Sequence, residues 1–305
     1  MNRVFAVAVA VLLIVGAVIV RGVIDDDEDG GNGNPDGRTT MRVVCAEELR
    51  DACEGLGFGA RFEIEIEDAA DTAARLATAT AADIPDIWAV PAPWPAIVDD
   101  TRVRAGRQAL YSATPDVLAS TRLAAVGPES LAGCDWSCIG ERAGTSVRVG
   151  TRPLASTGVG VLTLGAAAAG YFGGPQFATN DFDPTFDRWL AGFTGAVTDS
   201  AGPVLQLLQS RAFFDVALSY EAEAAAALDA ASVDRKQGLA LLYPAPVVTL
   251  DAVVVLGPGA SSSDAGDLRS ALGESLLTTG WSEPSTAPSG LPSAGVITAL
   301  RERAR

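Results

Sequence analysis

Histidine is absent from the 305 residues, and lysine occurs only at Lys236. Ser-His-Asp and Cys-His nucleophile systems are therefore excluded, together with zinc sites that need imidazole. No GxSxG elbow is present either. Chemistry is left to carboxylates, Lys236, tyrosines, four cysteines and one stretch of small hydroxyl residues and glycines before an apolar run. That stretch, residues 151–165, reads TRPLASTGVGVLTLG. The first N–H groups of a helix lack partners within it and carry the positive end of its dipole. Ser156 and Thr157 add hydroxyls at the same point, and Gly158 lets a ligand approach the backbone. The pattern suits an oxyanion or a carboxylate. Ser156 acting only as an N-cap would give the same pattern without a ligand. A nucleotide P-loop is excluded, because no Gly-Lys-Ser/Thr follows the glycines.

The four cysteines fit an oxidising compartment. Cys134 and Cys138 bracket CDWSC, a short loop able to fold back into a disulfide. Cys45 and Cys53 are then left to each other. On one regular helix they would stand about 12 Å apart, beyond the roughly 7 Å limit for bridged Cα atoms. Either the segment is irregular or the pairing differs. The spacings are not those of a zinc ribbon, and no metal site is expected. Asp25, Asp27, Asp29, Gly30 and Asp36 imitate a calcium loop. Asp in place of the final Glu, Pro35 and the missing exit helix argue against one. Asp181, Asp183 and Asp187 are better read as a helix cap and a solvated face than as metal ligands.

The formal charge of −16 argues against a nucleic-acid partner, since phosphate backbones are bound through Lys and Arg. Residues 4–20, VFAVAVAVLLIVGAVIV, form an unbroken apolar run between Arg3 and Arg21. No small-residue cleavage site and no lipobox cysteine follow. This predicts an uncleaved single-pass anchor at 1–24, a cleaved signal peptide being the alternative, with the globular part outside the cytoplasm. Residues 25–38 are acidic and rich in Gly and Asn, as a flexible spacer is.

From Met41 the elements that must position these residues alternate between strand and helix. MRVVCA reads as a strand, and EELRDACEGLG as a helix ending at Gly57. RFEIEIED alternates strictly, as a half-buried strand does. AADTAARLATATAA is an Ala-rich helix, and DIWAV is a strand running into the turn PAPWP. VLASTRLAAVGP is a further strand, and the quoted stretch opens a helix reaching Gly170. NDFDPTFDRWLAGF starts a helix with Asp183 as N-cap and Pro184 at the first position. PVLQLLQSRA reads as a helix, FFDVALSYE as a strand and AEAAAALDAA as a helix. Strands flank YPAP at 243–246, and helices at DAGDLRSALGESLLT and SAGVITALRERA close the chain. Such βα units feed a mainly parallel sheet, whose ligands bind beyond the strand C-termini.

The ordered set VVCAEEL, DIWAVPAPW, LASTRLAAV, TRPLASTGVGVLTLG, FFDVALSYEAEA, LLYPAPVVTLDAVVVL and LPSAGVITAL resembles the type 2 periplasmic-binding-protein fold. Within it the likeness is to extracellular solute-binding proteins of the molybdate/sulfate-like group. It covers residues 38 to 305. The resemblance implies an α/β architecture of two lobes with two crossover strands, preceded by the transmembrane helix. Lobe I would be 39–125 plus 247–305, and lobe II 126–246. A solute would lie between them, touching Ala46, Glu47, Ala92, Trp94, Ser120, Thr121, Ser156, Thr157, Gly158, Tyr220, Glu221 and Tyr243. Trp94 would stack on a planar ligand or else pack as a rigid turn. Glu221 would bind an amine or else start a helix in solvent. Arg122 and Arg152 would pair with an anionic solute or else be ordinary surface arginines. The implied function is a membrane-tethered extracellular binder of a small solute, an oxyanion or carboxylate being favoured, that needs no cofactor and delivers to an ABC-type permease. An envelope sensor or adaptor of the same fold, read by a partner protein, is the alternative, and an enzyme is disfavoured.

Overall fold

The computed structural model describes residues 40–305 apart from 57–60, 112–114, 264 and 286–289. All that follows concerns the unit Met41–Arg305. The apolar run at 4–20, the acidic stretch 25–38 with its calcium-loop pattern, and Gly57 lie outside the described residues. Among the described residues no helix is long and apolar enough to cross a membrane.

Strand β1 (Met41–Ala46) pairs in parallel with β2 (Phe62–Glu67) on one side and β3 (Ile87–Pro91) on the other. In β2, Phe62 is buried while Glu63 and Glu65 face solvent, as the alternation predicts. Every residue of β3 is buried. Strand β9 (Thr249–Leu256) lies antiparallel to β3 and also to β4 (Asp116–Pro128). The thirteen-residue β4 continues past Arg122 into a second sheet. There it pairs antiparallel with β7 (Val216–Tyr220) and β8 (Leu239–Leu242). Beyond β7 come β5 (Val149–Thr151) and β6 (Val197–Asp199), both parallel. The sheet is therefore mixed and not mainly parallel. The strands that leave one lobe and return to it run against the βα units they join.

Two chain passages link the lobes. One is β4 itself. The other is residues 243–248 between β8 and β9, where Leu123 N–H donates to Val248 O at 2.8 Å. Trp136 Nε1 donates to Pro246 O at 3.1 Å on the same passage.

Helices cover the sheets. In the first lobe they are α1 (Arg50–Glu54), α2 (Ala69–Thr78), α3 (Trp94–Arg104), α10 (Gly266–Thr278) and α11 (Ala294–Arg303). In the second they are α4 (Trp136–Arg142), α5 (Gly158–Phe172), α6 (Pro184–Ala196), α7 (Pro203–Gln209), α8 (Glu221–Ala230) and α9 (Val233–Lys236). Asp183 caps α6 as predicted, accepting from Thr185 and Phe186 N–H, both at 2.8 Å. Asp181 accepts from Ala178 N–H at 2.7 Å, and Asp187 pairs with Arg303 at 3.0 Å. Among the described residues no group of three His, Cys, Asp or Glu side chains could hold a metal ion.

Cys45 and Cys53 are bonded, with Cα atoms 6.6 Å apart. The helical objection to this pair fails because the segment is not one helix. Cys45 lies within β1, one residue before its end, a 3-10 turn spans Glu47–Leu49, and only then does α1 begin. Cys134 and Cys138 are also bonded, with Cα atoms 5.4 Å apart. Asp135 between them caps α4 by accepting from Cys138 N–H at 2.8 Å. One apolar cluster runs through both lobes, joining Leu49, Ala52 and Cys53 to Val159, Leu162 and Val216.

Candidate functional site

The glycine-rich helix start is where the lobes meet. Helix α5 begins at Gly158, and its N-cap is Thr157 rather than Ser156. Thr157 Oγ1 accepts from Gly160 N–H at 3.0 Å and donates to Pro153 O at 2.9 Å. The Gly158 N–H donates to Glu48 Oε1 on the opposite lobe. A Cβ on Gly158 would stand 3.1 Å from that oxygen and 3.4 Å from the Pro91 ring, so only glycine fits without a shift. The chain's own carboxylate thus fills the position where the sequence predicts an anionic solute. Glu48 is held there by the turn after β1, with Leu49 buried beside it and the Cys45–Cys53 bridge closing the turn. Its second oxygen, Oε2, is buried without a hydrogen-bond partner. Burial pushes the Glu48 carboxyl above the usual range, against the pull of the Gly158 N–H.

Beside this contact lies a cavity of about 670 Å³ with walls from both lobes. The first lobe contributes Glu48, Asp51 and the end of α10 through Trp281; the second contributes Tyr220 and the exposed side of α8. Tyr220 and Trp281 form an aromatic wall, with ring centroids 5.7 Å apart and planes tilted by 43°. Glu48, Asp51, Glu221, Glu223 and Asp229 line the cavity, and among the described residues no arginine or lysine does.

Two of these carboxylates are already matched. Glu223 pairs with Arg152 at 2.7 Å and accepts from Ser219 Oγ at 2.5 Å. Glu221 accepts from Arg122 Nε and Nη2 at 2.8 and 2.5 Å, and from Tyr243 OH at 2.6 Å. The Arg122 guanidinium also lies 3.9 Å over the Tyr243 ring. The hydrogen bond from Arg122 holds the Glu221 carboxyl below its ordinary range. Burial, with the Glu221 charge, pushes the Tyr243 phenol up to about 12. Arg122 and Arg152 are therefore both paired within the protein, although Arg152 Nε is buried without a hydrogen-bond partner.

Of the residues predicted from sequence, Tyr220 and Glu221 line this cavity. The others lie around it with other partners. Ala46 is wholly buried at the end of β1, and Glu47 pairs with Arg50 at 2.5 Å in solvent. Ala92 N–H donates to Asp251 O at 2.8 Å. Trp94 is not on an open loop: it starts α3, is wholly buried, and has the Arg301 guanidinium 4.4 Å over its ring. That face has no room for a stacked ligand. Ser120 Oγ donates to Asp251 at 2.6 Å and its backbone pairs with Ser282, so it ties the crossover strand. Thr121 Oγ1 accepts from Ala222 N–H at 3.2 Å and so completes the start of α8. Tyr243 reaches the site only through Glu221. Glu48, Asp51, Glu223, Asp229 and Trp281 also line the cavity and are not among the residues predicted from sequence. The available signal was three acidic residues in EELRD, over the turn and helix after β1, and three in EAEAAAALD, along α8.

Two α/β lobes joined by β4 and the 243–248 passage, with a cavity between them, are the type 2 periplasmic-binding-protein fold. No family model and no curated protein matches the chain. Solved structures do. The sulfate-binding protein SubI from Mycobacterium tuberculosis H37Rv is 15% identical, with 86% of this chain and 91% of that one covered, at a TM-score of 0.52. Apo FutA2 from Synechocystis PCC6803 is 11% identical over 88% and 97% of the two chains, at 0.56. The periplasmic binding protein AfuA from Actinobacillus pleuropneumoniae, with fructose-6-phosphate bound, is 11% identical over 87% and 96%, also at 0.56. At such identities the likeness is one of fold.

Proposed function

We propose that this chain is a solute-binding protein without catalytic activity, working outside the cytoplasm. Residues 39–125 with 247–305 form one lobe and 126–246 the other, and a small solute is captured between them for an ABC-type permease. Residues 1–24 anchor it in the membrane, with 25–38 as a spacer. The observation that carries this reading is the interlobe cavity lined by Glu48, Asp51 and Trp281 from one side and Tyr220 and Glu223 from the other. A surface built jointly by two lobes binds most tightly when they close on a ligand. The two disulfides support an oxidising compartment. The test is thermal unfolding of the full chain against oxyanions, amino acids, sugars and amines. A ligand at 100 times its Kd adds about 2.7 kcal/mol to the stability. If no solute class raises the melting temperature, the solute-binding reading falls.

A further inference from the structure

A second cavity, of about 210 Å³, lies away from the cleft between the lobes, and no residue lines both. One wall is the face of α2 that carries Ala70, Ala73, Ala74 and Ala77, with Ile97 and Val98 of α3 beside it. Alanine side chains end at Cβ and leave the space between the helices open. Helix α11 lines the other side with Arg301, and Arg305 follows it. We propose that this cavity is a binding site for a small aliphatic carboxylate, its carboxylate group on Arg301 and its alkyl body along the alanine face. Such a ligand is distinct from the solute held between the lobes, and either could bind without the other.

The alanine face alone would be a packing gap, and it is Arg301 that points to a ligand. Only 7% of this residue is exposed. Its Nε donates to Ala155 O at 2.8 Å, and its guanidinium lies 4.4 Å over the Trp94 ring. Those contacts fix the group in place but use only one of the five N–H donors of a guanidinium. Among the described residues its Nη nitrogens have no acceptor, and both stay accessible, whereas Arg152 Nε is sealed. No carboxylate of the described residues forms an ion pair with Arg301. Asp68 caps α2 through the Ala70 N–H at 2.8 Å, and Glu302 at the cavity wall reaches Arg104 at 3.8 Å. Both act on Arg301 only from a distance, and Arg305 adds like charge. Burial, with Arg305, pushes the Arg301 guanidinium down to about 10, so it is still charged at neutral pH. A buried guanidinium without a counter-ion is costly. A carboxylate removes that cost best, because its two oxygens match the N–H fork. The apolar wall supplies the rest of the specificity. An inorganic oxyanion would satisfy Arg301 but leave the alanine face wet, and an amine would meet like charge.

The experiment is calorimetric titration of the full chain at low salt with acetate, butyrate, sulfate, butanol and butylamine. Butyrate should bind about 10-fold more tightly than acetate, because it buries two more methylenes. Added salt should weaken it, and butanol and butylamine should give no response. Arg301→Gln should weaken butyrate roughly 10- to 100-fold, as loss of a charged hydrogen-bond donor does. Ala74→Leu is the second variant: the position is exposed, leucine is a good helix former, and Arg301 is left intact. It takes space from the alkyl body and should weaken butyrate about 4-fold or more, the contribution of one buried methylene. If Arg301→Gln does not fold, Ala74→Leu decides alone. Butyrate binding unchanged in Ala74→Leu or in folded Arg301→Gln overturns the assignment to this cavity. Acetate or sulfate bound as tightly as butyrate, with the same loss in Arg301→Gln, overturns the aliphatic ligand. No response to butyrate overturns the inference and leaves the reading of the cleft to its own thermal screen.

Discussion

Glu48 makes the interlobe contact measurable without any ligand. Its folded-state carboxyl titrates above the unfolded value because burial disfavours the charged form. Between those two values the folded state holds more protons than the unfolded state. Stability contributed by the protonated carboxyl is therefore present at low pH and lost as pH rises through that window. Glu48→Gln keeps an acceptor for the Gly158 N–H and removes the titration. The variant should gain stability relative to the parent as pH rises above the ordinary glutamate range. One proton sets the limiting slope at about 1.4 kcal/mol per pH unit. For a folded unit of this size, that is about 2–3 °C of melting temperature per pH unit. Asp199 is also raised by burial, but it is common to both proteins and cancels in the difference; Asp68 lies close enough to raise Glu48 further, so Asp68→Asn in both backgrounds removes its contribution. The assay is thermal and urea unfolding of the two proteins in parallel from pH 4.5 to 7.5. A constant difference across that range would mean that the Glu48 carboxyl is solvated and the lobes stand apart in solution, which would refute the reasoning.

Two further outcomes follow from named contacts. Thr157→Ala removes the N-cap of α5 and should cost about 1 kcal/mol in urea denaturation. Ser156→Ala, at a position where no cap bond is made, should change stability by less than about 0.5 kcal/mol; the reverse order would return the cap to Ser156. Replacing Cys45 and Cys53 together by alanine opens a bridge across a separation of 8 residues. Loop entropy sets that loss at about 2.5 kcal/mol, and an unchanged denaturation midpoint would show that the turn after β1 holds without its bridge.

Long periodic elements were legible in the sequence. The Phe62–Ile64–Ile66 alternation, the Asp183–Pro184 helix start and the apolar core of β4 each combine a local signal with burial that agrees with it. The three-residue strands β5 and β6 were not legible, because a run that short has no period to detect. The helix expected over 47–57 was misjudged for a different reason: the Cys45–Cys53 bridge and the buried Leu49 favour a tight 3-10 turn over continued α-helix. At the site, the chemistry of the helix start was visible from Thr157 and Gly158, but its occupant was not. The contact between Glu48 and Gly158 spans 110 positions, and the Arg152–Glu223 pair spans 71. Charge composition shows that acids outnumber bases, yet only the folded chain shows which acids are left unmatched.

The hydrogen bond from Gly158 to Glu48 also acts as a competition. A carboxylate joined covalently to its own receptor has an effective concentration of millimolar order even on a flexible tether. A free oxyanion must displace it to reach the helix start, so its apparent affinity is reduced to the fraction of time the contact is open. Weak, abundant anions such as inorganic phosphate are then screened out by the protein's own side chain, with no steric barrier needed.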